Sequence, residues 1–232
     1  MIDYYICITT YNRPNYLNSL LADLSKYDIN KRIMVFDDFS PQFDVIHDIV
    51  GNYKWAEYYR APKHYGKEGY WKMFNEIFNV CKSIKAKKYI FLPDDVMLKD
   101  NFFEKAINIY NNIEDSNKIC LSLLMDETRR GKTCWTNYKP IDKGDIYKTQ
   151  WNDLCFMCEY GFFEMLNFSI NPISSSRFID RNISSGVGRQ ISIRLNNLGC
   201  NMYHVKESLV IHDNHESQMN PNERNINKLI SG

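Results

Sequence analysis

Asp94 and Asp95 stand side by side just past Tyr89-Ile90-Phe91-Leu92-Pro93. Two aromatic and two aliphatic residues in a row read as a buried strand, and the proline ends it. Carboxylates at the end of a buried strand can hold a hard cation. Mg2+ or Mn2+ takes one or two protein oxygens and fills its shell with water or phosphate. A turn carrying solvated acids would look the same on this stretch alone. Three other strand-like runs, however, also end in polar clusters. They are Thr9-Thr10-Tyr11-Asn12-Arg13, Asp37-Asp38-Phe39-Ser40 and the late His212-Asp213-Asn214-His215-Glu216-Ser217.

The elements that must position these clusters follow from the spacing of apolar residues. Residues 4–9 are nearly all apolar, as in a parallel strand covered on both faces. Pro14 suits a first helical turn, and Tyr16, Leu17, Leu20, Leu21 and Leu24 then recur at helical spacing. Residues 32–36 read as a second strand, a helix through Val45, Ile46, Ile49 and Val50 follows, and residues 55–59 read as a third strand. Residues 63–69 look like a polar, flexible loop. Residues 71–85 read as a helix with Phe74, Ile77, Phe78 and Cys81 on one face. Strand–helix alternation over about the first hundred residues predicts an α/β fold with a parallel sheet. In such sheets ligands bind beyond the carboxyl ends of the strands. Further on, the pattern predicts helices over 102–113, 161–168 and 190–198, the last stopped by Gly199. Strands are expected over 119–125 and 205–211, a loop over 126–140 and a loose polar tail after residue 220.

Composition narrows the class. The chain has 232 residues, 44% hydrophobic and 14% aromatic, enough for a sizeable core. A net charge of +1 gives no overall field toward DNA or anionic lipid. No apolar run is long enough to cross a bilayer. The first residues enter a strand pattern directly, which points to the cytoplasm of a bacterium or, for a phage protein, of its host. The seven cysteines are scattered, with Cys155 and Cys158 the one C-x-x-C pair. A lone pair is thin support for zinc, so all seven read as reduced thiols.

The four polar blocks, in their order and spacing, resemble the nucleotide-sugar glycosyltransferases of the GT-A fold, in particular inverting glycosyltransferase family 2. Ile8-Thr9-Thr10-Tyr11-Asn12-Arg13-Pro14 is similar to the first nucleotide-binding loop. Val35-Phe36-Asp37-Asp38-Phe39-Ser40 resembles the aspartate pair that reads uracil. Leu92-Pro93-Asp94-Asp95 resembles the metal-binding D-x-D motif. Ser208-Leu209-Val210-Ile211-His212, with Ser217, resembles the late histidine block. The resemblance implies one GT-A domain over 1–232. Residues 1–100 would be the donor half, 101–220 the acceptor half and 221–232 the tail. It implies Mn2+ or Mg2+ on Asp95 and His212, with Asp94 on the ribose or the outer shell of the ion. Thr9 and Asp38 would line the nucleotide site, Tyr11 would stack on the base, and Lys67 or Arg13 would reach a phosphate. The donor expected is a UDP-sugar, with hexose or pentose transferred to a hydroxyl.

The chain also departs from that family. The first D-x-D carboxylate is Pro93. Arg194 and Gly199 fit the family's late helix, but the acidic pair expected before it falls on Gly188-Arg189. The base for the acceptor hydroxyl must lie elsewhere, with Asp180 and Glu159 as candidates by position in the chain. Ser185-Gly186-Val187-Gly188-Arg189 reads as a turn into a helix N-terminus. The loop Arg129-Arg130-Gly131-Lys132-Thr133-Cys134-Trp135 interleaves cations with aromatics, which suits bases and phosphates, as does Arg189. Some phage enzymes of the fold that the chain resembles glycosylate hydroxymethylated bases in DNA, and most family 2 enzymes build glycans on a lipid carrier. The resemblance therefore implies either a hydroxymethylated base in phage DNA or a lipid-linked or surface glycan as acceptor. A nucleotidyltransferase and a non-catalytic nucleic-acid-binding module on the same fold are the alternative functions. A solvated loop, a helix-capping Asp38, a packed Tyr11 and a surface His212 are the corresponding plain readings of the residues.

Overall fold

The computed structural model describes residues 2–125, 141–152, 154–178 and 185–212. Four parallel strands carry the first half: β1 (Ile2–Thr10), β2 (Lys31–Asp37), β3 (Ala56–Arg60) and β4 (Ala86–Pro93). Helices α1 (Pro14–Ser25), α2 (Phe43–Gly51) and α3 (Gly66–Ser83) connect them. A short strand β5 (Val96–Leu98), helix α4 (Phe102–Asn111) and strand β6 (Lys118–Ser122) follow. Then come β7 (Ile141–Asp142), β8 (Ile146–Thr149), β9 (Phe156–Cys158), α5 (Gly161–Met165), α6 (Val187–Asn197), β10 (Asn201–Val205) and β11 (Val210–His212). The main sheet runs β3-β2-β1-β4-β9-β6-β10-β8-β7, with β9 antiparallel between β4 and β6. β11 and β5 form a separate antiparallel pair.

Alternation along the central strands sorts the core by shape. Ile6, Ile8, Ile33, Val35, Ile90 and Leu92 face α1, α2 and α4. Tyr5, Cys7, Phe36, Tyr89 and Phe91 face α3, α5 and α6. Phe91 is stacked between Phe74 (ring centroids 5.8 Å) and Phe156 (4.5 Å). Adjacent strand residues point to opposite faces, so the apolar runs have no polar side, as expected for a sheet covered by helices on both faces.

The structure corrects several boundaries. The helix expected from residue 71 begins at Gly66, so half of the supposed loop 63–69 is its first turn. Its polar composition hid this, because the apolar face starts only at Met73 and Phe74. The strand expected over 205–211 is two strands in different sheets, β10 and β11. The polar triplet Lys206-Glu207-Ser208 forms the break. Ser208 fixes it by donating to Met125 O at 2.9 Å and accepting from Met125 N at 2.7 Å. Strands β5, β7, β8 and β9 are two to four residues long, too short for a period to register. Gly199 ends α6 with φ +75°, as read from the sequence. The six described cysteines are free and buried, Cys155 and Cys158 among them. No helix among the described residues is long and apolar enough to cross a membrane.

Candidate functional site

The strand order reverses direction at β1, which lies between β2 and β4. Such a switch point opens a crevice at the carboxyl ends of its strands. The end of β1 ties the two acidic pairs together through its own carbonyls. Asp38 N donates to Thr10 O at 3.0 Å and Asp94 N to Thr9 O at 3.2 Å. Side chains add to this: Thr10 Oγ1 donates to Asp94 Oδ2 at 2.7 Å, and Thr9 Oγ1 lies 3.0 Å from Tyr70 OH. Burial raises the pKa of that tyrosine.

Arg13 reaches the acids because of the turn before it. Asn12 has φ +54°, a left-handed conformation that Asn tolerates, and its N–H donates to Ser40 Oγ at 2.7 Å. The chain then enters α1 at Pro14. Arg13 Nη1 lies 2.6 Å from Asp95 Oδ2 and 3.3 Å from Asp94 Oδ1. Burial pushes the Asp94 carboxyl up to about 7, and the neighbouring Asp95 charge adds to this, while Arg13 and Thr10 oppose it. Burial works against the Arg13 charge, but the two carboxylates outweigh it and hold the guanidinium more firmly protonated. On the other side, His212 Nε2 lies 3.4 Å from Asp95 Oδ1. The register explains this: His212 pairs with Val96, the residue after Asp95. Among the described residues no group of three or more His, Cys, Asp or Glu is arranged to hold a metal ion.

The second acidic pair divides its work. Asp37 is fully buried and accepts from Ser40 N, Ser40 Oγ and Tyr58 OH. Asp38 accepts from Tyr65 N at 2.7 Å and Gly66 N at 2.8 Å. It therefore caps a helix, but α3 across the crevice rather than α2 next to it in sequence. Burial raises its pKa, with those two N–H groups pulling the other way. His64 Nδ1 sits 3.0 Å from Asp38 Oδ2, and its ring stacks on Tyr11 at 4.1 Å and 22°. Beside them, Arg60 is packed over the rings of Phe39 and Phe43 and donates to Ser40 O at 3.2 Å.

Thr9, Tyr11, Arg13, Asp38, Asp94, Asp95 and His212 thus converge at one crevice. Lys67 is half-buried in the first turn of α3, whose N-terminus Asp38 holds. Arg189 is exposed in the first turn of α6. Glu159 does not join the site. It pairs with Lys88 at the opposite end of β4, because Cys158 is in register with Tyr89. This removes it as a candidate base. Asp180, Arg129, Arg130, Lys132 and Trp135 lie outside the described residues. A Cβ on Gly188, where an acid was expected, would meet Asn152 O at 3.1 Å, so the loop before β9 leaves little room for a side chain there. Sequence reasoning did not assign Thr10, Ser40, Tyr58, Arg60, His64 or Tyr70. Thr10 and Ser40 lay within quoted blocks and could have been found, but nothing in the local pattern marks the other four.

This mixed α/β architecture, with a large and mostly parallel sheet, is the GT-A-like fold of glycosyltransferases. The chain is similar in structure to TarS of S. aureus, residues 1–349, with TM-score 0.60 and 12% identity, covering 92% of this chain and 61% of that one. It is also similar to the mannosyltransferase PcManGT from Pyrobaculum calidifontis in complex with GDP-Man and Mn2+, with TM-score 0.58 and 9% identity, covering 88% and 54%. A longer TarS structure aligns with TM-score 0.57 and 11% identity over 90% of this chain and 36% of that one. At these identities what is shared is the fold, and the chain spans less than two thirds of each neighbour. No family model and no curated protein sequence matches it.

Proposed function

We propose that the protein is a glycosyltransferase that moves a sugar from a nucleoside-diphosphate sugar to an acceptor hydroxyl. The convergence of Arg13, Asp38, Asp94, Asp95 and His212 at the β1 switch point carries this reading. Tyr11 and His64 supply ring faces for the base, Asp38 an acceptor beside them, and Asp94 a partner for the ribose. Thr9 lines the floor. Arg13 and Lys67 stand at the helix starts, where phosphate oxygens would be met by cations. The neighbouring mannosyltransferase was solved with GDP-Man and Mn2+, which supports a divalent ion here as well.

Asp95 and His212 fit such an ion as two adjacent ligands. In octahedral geometry at about 2.1 Å, neighbouring ligands stand roughly 3 Å apart, and Asp95 Oδ1 and His212 Nε2 are 3.4 Å apart. When bound, the ion neutralises charge on the departing diphosphate. The protein's own part is to bind and orient the donor, with Thr10 and Arg13 holding the two carboxylates in fixed positions.

The test is a thermal-shift panel of UDP-, GDP- and CDP-sugars with and without Mn2+, on wild type and Asp95→Ala. A Mn2+-dependent rise for one nucleotide, lost in the variant, is the expected result. No rise with any donor would overturn the transferase reading.

A further inference from the structure

We propose that Arg13 is the resident cation of the Asp94–Asp95 pair, and that it holds down the affinity of the donor-free site for a divalent ion. One guanidinium nitrogen serves both carboxylates, 2.6 Å from Asp95 and 3.3 Å from Asp94. The three side chains are only 11%, 6% and 5% exposed. Two negative charges in so shielded a place need a positive partner. The left-handed turn at Asn12 delivers one from within the chain.

A divalent ion held by Asp95 and His212 would share a carboxylate with that guanidinium. Even with water-like screening, a charge repelled across one carboxylate loses on the order of tenfold in affinity. A nucleoside diphosphate reverses the balance, since its oxygens serve both as ligands for the ion and as acceptors for Arg13. Ion and nucleotide are then expected to raise each other's affinity. The inference rests on the reading of Asp95 and His212 as an ion-binding pair, and not on which donor binds.

The experiment uses Mn2+ alone, with no nucleotide. It is titrated into wild type, Arg13→Gln and Arg13→Lys, with free ion followed by electron paramagnetic resonance and folding by Tm. Arg13→Gln is expected to bind Mn2+ at least about tenfold more tightly than wild type. Its Tm, lowered by the uncompensated carboxylates, rises with Mn2+, while that of wild type moves little. Arg13→Lys falls between them. Adding Asp95→Asn to Arg13→Gln abolishes the gain. Mn2+ binding by Arg13→Gln that is equal to or weaker than wild type overturns the inference and leaves Arg13 a structural strut. Should Arg13→Gln not fold, the equally neutral Arg13→Met carries the comparison, and an Mn2+ affinity no higher than that of wild type there overturns the inference equally. A protein that shows this gain yet binds no nucleotide sugar would sink the transferase reading alone.

Discussion

Thr10 Oγ1 donates to Asp94 Oδ2 at 2.7 Å, joining the last residue of β1 to the first residue past β4. Both residues are buried, so the hydroxyl has no water to replace it. Thr10→Val keeps the shape and removes the donor. We expect it to lower stability by about 1–3 kcal/mol, measured by urea denaturation without donor. An unchanged midpoint would mean that the hydroxyl is dispensable to the carboxylate.

Asp38 holds the N–H groups of Tyr65 and Gly66, at the start of α3, as well as facing the crevice. Asp38→Ala should therefore destabilise the donor-free protein by about 1–2 kcal/mol, the range for a lost helix cap. A variant with full stability and impaired donor binding would show that the cap contributes nothing.

His212 is partly exposed and lies at the end of a three-residue strand. His212→Ala is expected to shift stability by no more than about 0.5 kcal/mol. It should nevertheless lose the Mn2+-dependent part of donor binding. Calorimetry with donor, with and without Mn2+, separates the two effects.

Glu159 gives the opposite contrast. Its ion pair with Lys88 is half-exposed and at the far end of β4 from Asp94. Glu159→Gln should leave turnover unchanged within about twofold and stability within about 1 kcal/mol. A hundredfold loss of turnover would require a catalytic role that its position contradicts.

Asp115 supplies a pH dependence away from the crevice. Burial alone would raise its pKa, but donation from Tyr203 OH, Asn117 N and Asn201 Nδ2, with the Lys148 charge, holds it below the usual carboxylate range. A depressed pKa stabilises the fold above the unfolded value of about 3.9, and that stability is lost as pH falls through the folded value. Asp115→Asn should be less stable than wild type at pH 7 by about 1–3 kcal/mol, with the gap closing below about pH 4. A gap independent of pH would show that the charge plays no part.

The first hundred residues were legible because each βα unit is local. Apolar runs gave β1, β2 and β4, and leucine spacing gave α1. The polar ends of those strands gave the aspartates. What stayed hidden depends on contacts distant in sequence. The α3 start at Gly66 is fixed by Asp38, and the break between β10 and β11 by Met125. The stack of Tyr11 on His64 has no local signature, and neither does the reach of Arg13 to Asp94 and Asp95. The expectation for Glu159 failed because nearness in sequence says nothing about which end of an antiparallel strand a side chain occupies.

The ladder between β5 and β11 is the smaller of the two sheets among the described residues, three residues against three, yet it sets His212 beside Asp95. Ladders this short open without the main sheet unfolding, and their amides exchange with solvent early. The histidine is thus expected to come and go more readily than Asp94 and Asp95, just past β4, and Arg13, just before α1. An ion bridging Asp95 and His212 would act as a clasp across that ladder, so that loading the site and slowing its amide exchange become one event.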